Sequence, residues 1–121
     1  MQFIPPDQDA AAGALLLANT EDVLARADEI RSAAAVLLQF PKWTDGRAYS
    51  QAVLLRGRLR YTGQIRASGD VVVDMAPLLQ RCGFDAMQLR ADQKLESAQR
   101  ALGLVSTTYQ QVLAERAGVQ P

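Results

Sequence analysis

The sequence predicts an α/β domain of about four βα units, a parallel half-barrel-like sheet with a possible fifth strand. Three observations carry this. Short apolar runs alternate with helix-period patterns along the chain. Asp22, Asp45, Asp70 and Asp92 each fall just after an expected strand, at spacings of 23, 25 and 22 residues, the length of one βα unit. At 121 residues the chain is one domain, too short for a complete (βα)₈ barrel of about 250 residues.

Residues 1–13 hold the Pro5-Pro6 pair without periodicity and read as a flexible arm. The first strand falls over 14–18, all apolar, and Asn19-Thr20 then offers an N-cap with Glu21 and Asp22 in the favoured first turn. A second buried strand spans 34–40 and is stopped by Pro41. The following helix is expected from about Arg47 to Arg60. Ala48, Ala52, Leu55 and Leu59 form its buried stripe, and Gly57 weakens it.

Tyr61-Thr62-Gly63 is a turn, and residues 64–68 alternate like a half-buried strand. Gly69-Asp70 opens a helix to Cys82, with Gly83 as its left-handed stop and Pro77 forcing a kink or restart. A fourth strand alternates over 86–90, Asp92 caps a helix over 93–102, and 104–109 is the possible fifth strand. The α/β domain therefore runs 14–109, followed by a tail over 110–121. Gln64, Arg66, Gln88 and Arg90 share one polar sheet face. A half-barrel with a polar concave side fits them better than helices on both faces. Its open face and edges need a cover, so a homo-oligomer is expected.

Composition excludes more than it assigns. Thirteen basic and thirteen acidic residues give zero net charge, which removes the footprint of a general nucleic-acid binder. The absence of histidine excludes an imidazole base and a Ser-His-Asp triad. The one cysteine, Cys82, cannot form an internal disulfide or a four-thiolate cluster. It ends a helix and reads as a small buried residue. No GxGxxG or GxxxxGK[ST] motif is present, so no cofactor is expected. The longest apolar run, 10–18, is far short of the roughly 20 residues that span a bilayer. It follows Asp7 and Asp9 where a signal peptide carries bases, so no membrane is expected and a cytoplasmic location is the default.

Charge is unevenly spread. Residues 1–31 carry six acids against two bases, whereas 42–66 carry six bases against Asp45. The basic stretch is either a solvated helix face or a docking surface for an acidic partner or an anionic ligand, with Arg56 and Arg60 as partner-docking candidates. In parallel α/β folds ligands bind at the carboxyl ends of the strands. Lys42, Thr44, Gly46 and Arg47 lie there at a helix start, with Arg66 on the next strand, and suit a small oxyanion. An Asp45–Arg47 turn salt bridge with Trp43 packed over it is the competing reading. Asp45, Asp70 and Asp92 read as rim or helix-cap residues. A magnesium site on them is conceivable and less economical than capping, so no metal is assigned.

Phe40-Pro41-Lys42-Trp43-Thr44-Asp45-Gly46-Arg47-Ala48-Tyr49-Ser50 resembles a bacterial family, domain-of-unknown-function family 934. Leu54-Leu55-Arg56, Tyr61-Thr62-Gly63, Arg66-Ala67-Ser68-Gly69-Asp70-Val71 and Arg81-Cys82-Gly83-Phe84-Asp85 continue the likeness, which covers about 34–109. This copy departs from the family pattern in six places. Ala48 and Arg60 stand at usual glycines, Gly57 and Gln88 at usual glutamates, Val73 at a usual arginine, and Pro77 enters a helix that usually lacks proline. The resemblance implies a protein found beside assimilatory sulfite reductase and described as an oxidoreductase of sulfite reduction. Six-electron sulfite reduction needs metal centres or flavin, and no ligand set or motif for either is visible. The expectation is therefore an accessory role in sulfur assimilation, by binding sulfite reductase or a small oxyanion. A small enzyme acting on a phosphorylated or sulfur-containing anion, or a non-catalytic self-associating module, are the alternatives.

Overall fold

The computed structural model describes residues 1–105. Five strands, β1 (Gln2–Phe3), β2 (Leu15–Leu17), β3 (Ala35–Phe40), β4 (Gln64–Gly69) and β5 (Ala86–Met87), form one sheet. All neighbouring pairs are parallel and the order is β1-β5-β4-β3-β2. β2 to β5 thus lie side by side in sequence order, as four successive βα units require. Four helices follow the strands: α1 (Ala27–Ser32), α2 (Arg47–Gly57), α3 (Ala76–Cys82) and α4 (Leu95–Val105).

Strand side chains alternate between two faces. Leu17, Val36, Leu38, Phe40, Ile65, Ala67 and Met87 point into one core, with Ile30, Ala52, Leu55, Leu79 and Ala98 from the four helices. Ala35, Leu37 and Ala86 are equally buried but lie outside that cluster, on the second face. A single helical layer on one face is what the half-barrel reading anticipates.

Three expectations are corrected. Residues 1–13 are not a bare arm: β1 pairs with β5 beyond β4, and the segment then crosses the second face. Its anchors are carbonyls held by Arg66 and Gln88, which periodicity cannot reveal. The fifth strand is therefore β1. Residues 104 and 105, expected to start it, continue α4, while 106–109 and the tail lie outside the described residues. Gly69-Asp70 does not open a helix: a 3₁₀ turn over Val73–Met75 precedes α3, which starts with Pro77 in its first turn. Proline is tolerated there because that N–H has no helical partner, so the restart expected at Pro77 is seen.

The helix expected to reach Arg60 ends at Gly57. The N–H groups of Arg58 and Leu59 turn back to Leu54 O, and Arg60 adopts a left-handed φ of 52°. Gly83 ends α3 with φ 107°, as its sequence position anticipates. The loop after β3 is pinned by an aromatic trio, Phe40, Tyr49 and Phe84, with ring centroids 5.1, 6.0 and 6.5 Å apart. Such pairs add about 0.5–1.5 kcal/mol each beyond area burial.

Candidate functional site

The loops at the carboxyl ends of β2 to β5 are laced by two ion networks. In the first, Asp45 Oδ1 accepts from the Arg47 N–H at 3.1 Å and from Arg47 Nε at 3.0 Å. Its Oδ2 accepts from Arg47 Nη2 at 2.7 Å and from Nδ2 of the buried Asn19 at 2.8 Å. The Arg47 guanidinium, then its N–H, holds the Asp45 carboxyl far below the usual carboxylate range. Gln51, one turn into α2, fixes the neighbouring loop by donating from Nε2 to Ala18 O and Glu21 O.

The second network crosses three loops. Asp70 Oδ2 accepts the Trp43 N–H at 2.8 Å, and its Oδ1 accepts from Arg90 Nη1 at 2.6 Å. Arg90 also forks onto Asp92, with Nε and Nη2 at 2.9 and 2.8 Å from its two oxygens. Arg90, then the Trp43 N–H, lowers the Asp70 pKa, and Arg90 lowers that of Asp92. Gly69 makes the first contact possible. Its φ of 104° turns the chain so that the Asp70 N–H reaches Phe40 O at 2.7 Å. A Cβ at Gly69 would clash with that same oxygen.

The residues expected to carry the site are only partly brought together. Lys42, Thr44, Gly46 and Arg47 share one exposed turn, closed by the Asp45 N–H donating to Lys42 O. Among the described residues, the Lys42 and Thr44 side chains have no hydrogen-bond partner. The competing Asp45–Arg47 salt bridge is present, and Trp43 beside it is 55% exposed.

Arg66 does not join this loop. Its register neighbour is Leu37, well short of the β3 end, and its Nη1 donates to Ala10 O and Ala12 O. Nor is Arg56 a free docking residue. Its guanidinium holds Gly83 O, Tyr61 O, Gly63 O and Asp85 Oδ2 at the opposite end of the sheet. Arg60 is exposed, and its side chain has no hydrogen-bond partner among the described residues.

One polar residue, Gln39, escaped sequence reasoning. Gln39 and Ser68 are register partners on the face that carries Arg66, next to the rim, and neither side chain has a partner among the described residues. Alternation within β3 could have found Gln39, the one polar residue in an otherwise apolar run. The described residues contain no cluster of three metal-ligating side chains, and no described helix is long and apolar enough to cross a membrane.

A family model described as "Bacterial protein of unknown function (DUF934)" matches residues 14–119. The chain belongs to the DUF934 family. No curated protein and no solved structure matches it significantly. The motifs that carry the DUF934 likeness sort in space into two groups. Leu54-Leu55-Arg56, Tyr61-Thr62-Gly63 and Arg81-Cys82-Gly83-Phe84-Asp85 meet around the Arg56 guanidinium and are architectural. Pro41 to Arg47 and Ser68-Gly69-Asp70 meet at the carboxyl rim, with the Lys42 and Thr44 side chains that lack a partner among the described residues. Ala48 is buried in α2, and Gln88 holds the N-terminal segment.

Proposed function

We propose that this DUF934 protein is an accessory factor of sulfite reduction and sulfur assimilation, acting by binding at the carboxyl rim. The observation that carries the reading is the loop from Lys42 to Thr44. Asp45 clamps one end of it and Asp70 holds the middle by the Trp43 N–H, yet the Lys42, Trp43 and Thr44 side chains face solvent. A loop fixed before its ligand arrives loses little conformational freedom on binding. An exposed tryptophan beside a lysine suits a protein partner, and a lysine and a threonine at a helix start suit a small oxyanion. The family resemblance supplies the context, an oxyanion-reducing enzyme as neighbour.

Thermal shifts with sulfite, sulfate and phosphate test the oxyanion arm, and capture of sulfite reductase at low salt tests the partner arm. A ligand at 100 times its dissociation constant stabilises by about 2.7 kcal/mol. Lys42→Ala is expected to abolish the anion response, and Trp43→Ala to weaken capture, while neither changes the melting temperature without ligand. No shift at millimolar anion together with no capture at low salt overturns the proposal.

A further inference from the structure

Residues 1–12 first extend the sheet edge and then cross its second face, as a ligand occupies its site. β1 adds only two register positions, Gln2↔Ala86 and Phe3↔Met87. Beyond it, Gln88 Nε2 donates to Pro5 O at 2.8 Å and Gln8 O at 2.7 Å. Arg66 Nη1 donates to Ala10 O at 3.0 Å and Ala12 O at 2.6 Å. All four acceptors are main-chain carbonyls, Gln64 Nε2 adds a side-chain contact to Gln2 Oε1 at 3.0 Å, and nothing in these contacts requires a covalent link to the domain. The receptor residues lie inside the family match and the segment they hold lies outside it. The connection is Gly13, with φ 71° and open space where a Cβ would be.

We propose that this face is a receptor that residues 1–12 fill either in cis or from a second copy, so that two chains exchange these segments and dimerise. The second copy is the fitting occupant because this chain's own segment is the one the face is shaped to hold. With the segment in place Ala10 within it is 5% exposed and Leu37 on the same sheet face 3%, so exchange for a second copy of the segment keeps buried what simple release would not. Gly13 sits where a change of φ re-aims the chain at little steric cost. Exchange of an identical element through such a joint is the usual route to a swapped dimer. The inference is independent of the oxyanion reading and survives its failure.

Gly13→Pro in the full chain is the test, since proline fixes φ near −65° and closes the cis path. The variant is expected to sediment with twice the monomer mass at micromolar concentration. Its Gln2 and Ile4 amides, bonded to Asp85 O and Met87 O, should stay as protected from hydrogen exchange as in the parent. A folded monomer overturns the proposal, whether those amides are protected or free. A second measurement covers misfolding of the variant: a labelled peptide of residues 1–13 titrated onto the parent protein up to about the millimolar effective concentration of a tethered segment. Saturable binding, displaced by unlabelled peptide and weakened at least about tenfold by Arg66→Ala, supports exchange. No binding in that range overturns it.

Discussion

Arg56 Nε and Nη2 both donate to the carbonyl of Gly83, at 3.1 and 2.8 Å. The side chain lies so close over Gly83 that a Cβ there would meet Arg56 Cγ at 2.7 Å. Nη1 reaches Tyr61 O and Gly63 O at 2.8 and 2.9 Å, and Nη2 reaches Asp85 Oδ2 at 2.6 Å. That carboxylate oxygen in turn accepts the Ile65 N–H at 3.0 Å. One guanidinium therefore ties the end of α2, the turn before β4 and the turn before β5. A flat fork of five N–H groups can do this and an ammonium cannot.

Arg56→Ala is expected to lower unfolding stability by about 2–3 kcal/mol, because it strands carbonyls that a charged donor now satisfies. Arg56→Lys should recover little of the loss. Urea unfolding followed by circular dichroism measures both. Equal stability of Arg56→Ala and the parent would remove the clamp from the account of the fold.

Arg60 sits at φ 52°, a left-handed conformation that a Cβ disfavours. Arg60→Gly relieves that strain at the cost of a more flexible unfolded chain, for a net gain of about 0.5–1 kcal/mol. The measurement is the shift in urea midpoint at unchanged slope. A loss of stability would mean that the Arg60 side chain contributes more than its exposed position indicates.

Asp45, Asp70 and Asp92 have pKa values lowered by their arginine partners. A lowered folded-state pKa adds stability that is complete above the unfolded value, about 3.9, and is lost as pH falls through the folded value. The urea midpoint is expected to hold from pH 7 to about 5 and to fall below about 4. Asp70→Asn should flatten part of that fall. Because the rim is solvated, added salt should shrink the effect. A midpoint that rises on acidification would contradict the sign.

The sequence by itself determined the fold class, the sequential order of four strands and the stops at Pro41 and Gly83. Those follow from local rules: apolar runs that need burial, a proline that cannot continue a strand, a glycine that accepts a left-handed turn. It also placed Asp45, Asp70 and Asp92 at the carboxyl rim, since one βα period repeats the same end of the sheet. The Asp45–Arg47 bridge, two residues apart, was open to the sequence, but the tertiary structure alone decided what the arginines with distant partners do. Arg56, Arg66 and Arg90 look alike in sequence, yet one clamps Gly83, one holds Ala10 and Ala12, and one bridges Asp70 and Asp92. Their partners lie 27, 56 and 54, and 20 and 2 residues away in the chain, and hydrogen bonds at most of those separations leave no periodic trace. The same reason hid β1, whose two residues carry no pattern and become a strand because β5 presents an unpaired edge beside them.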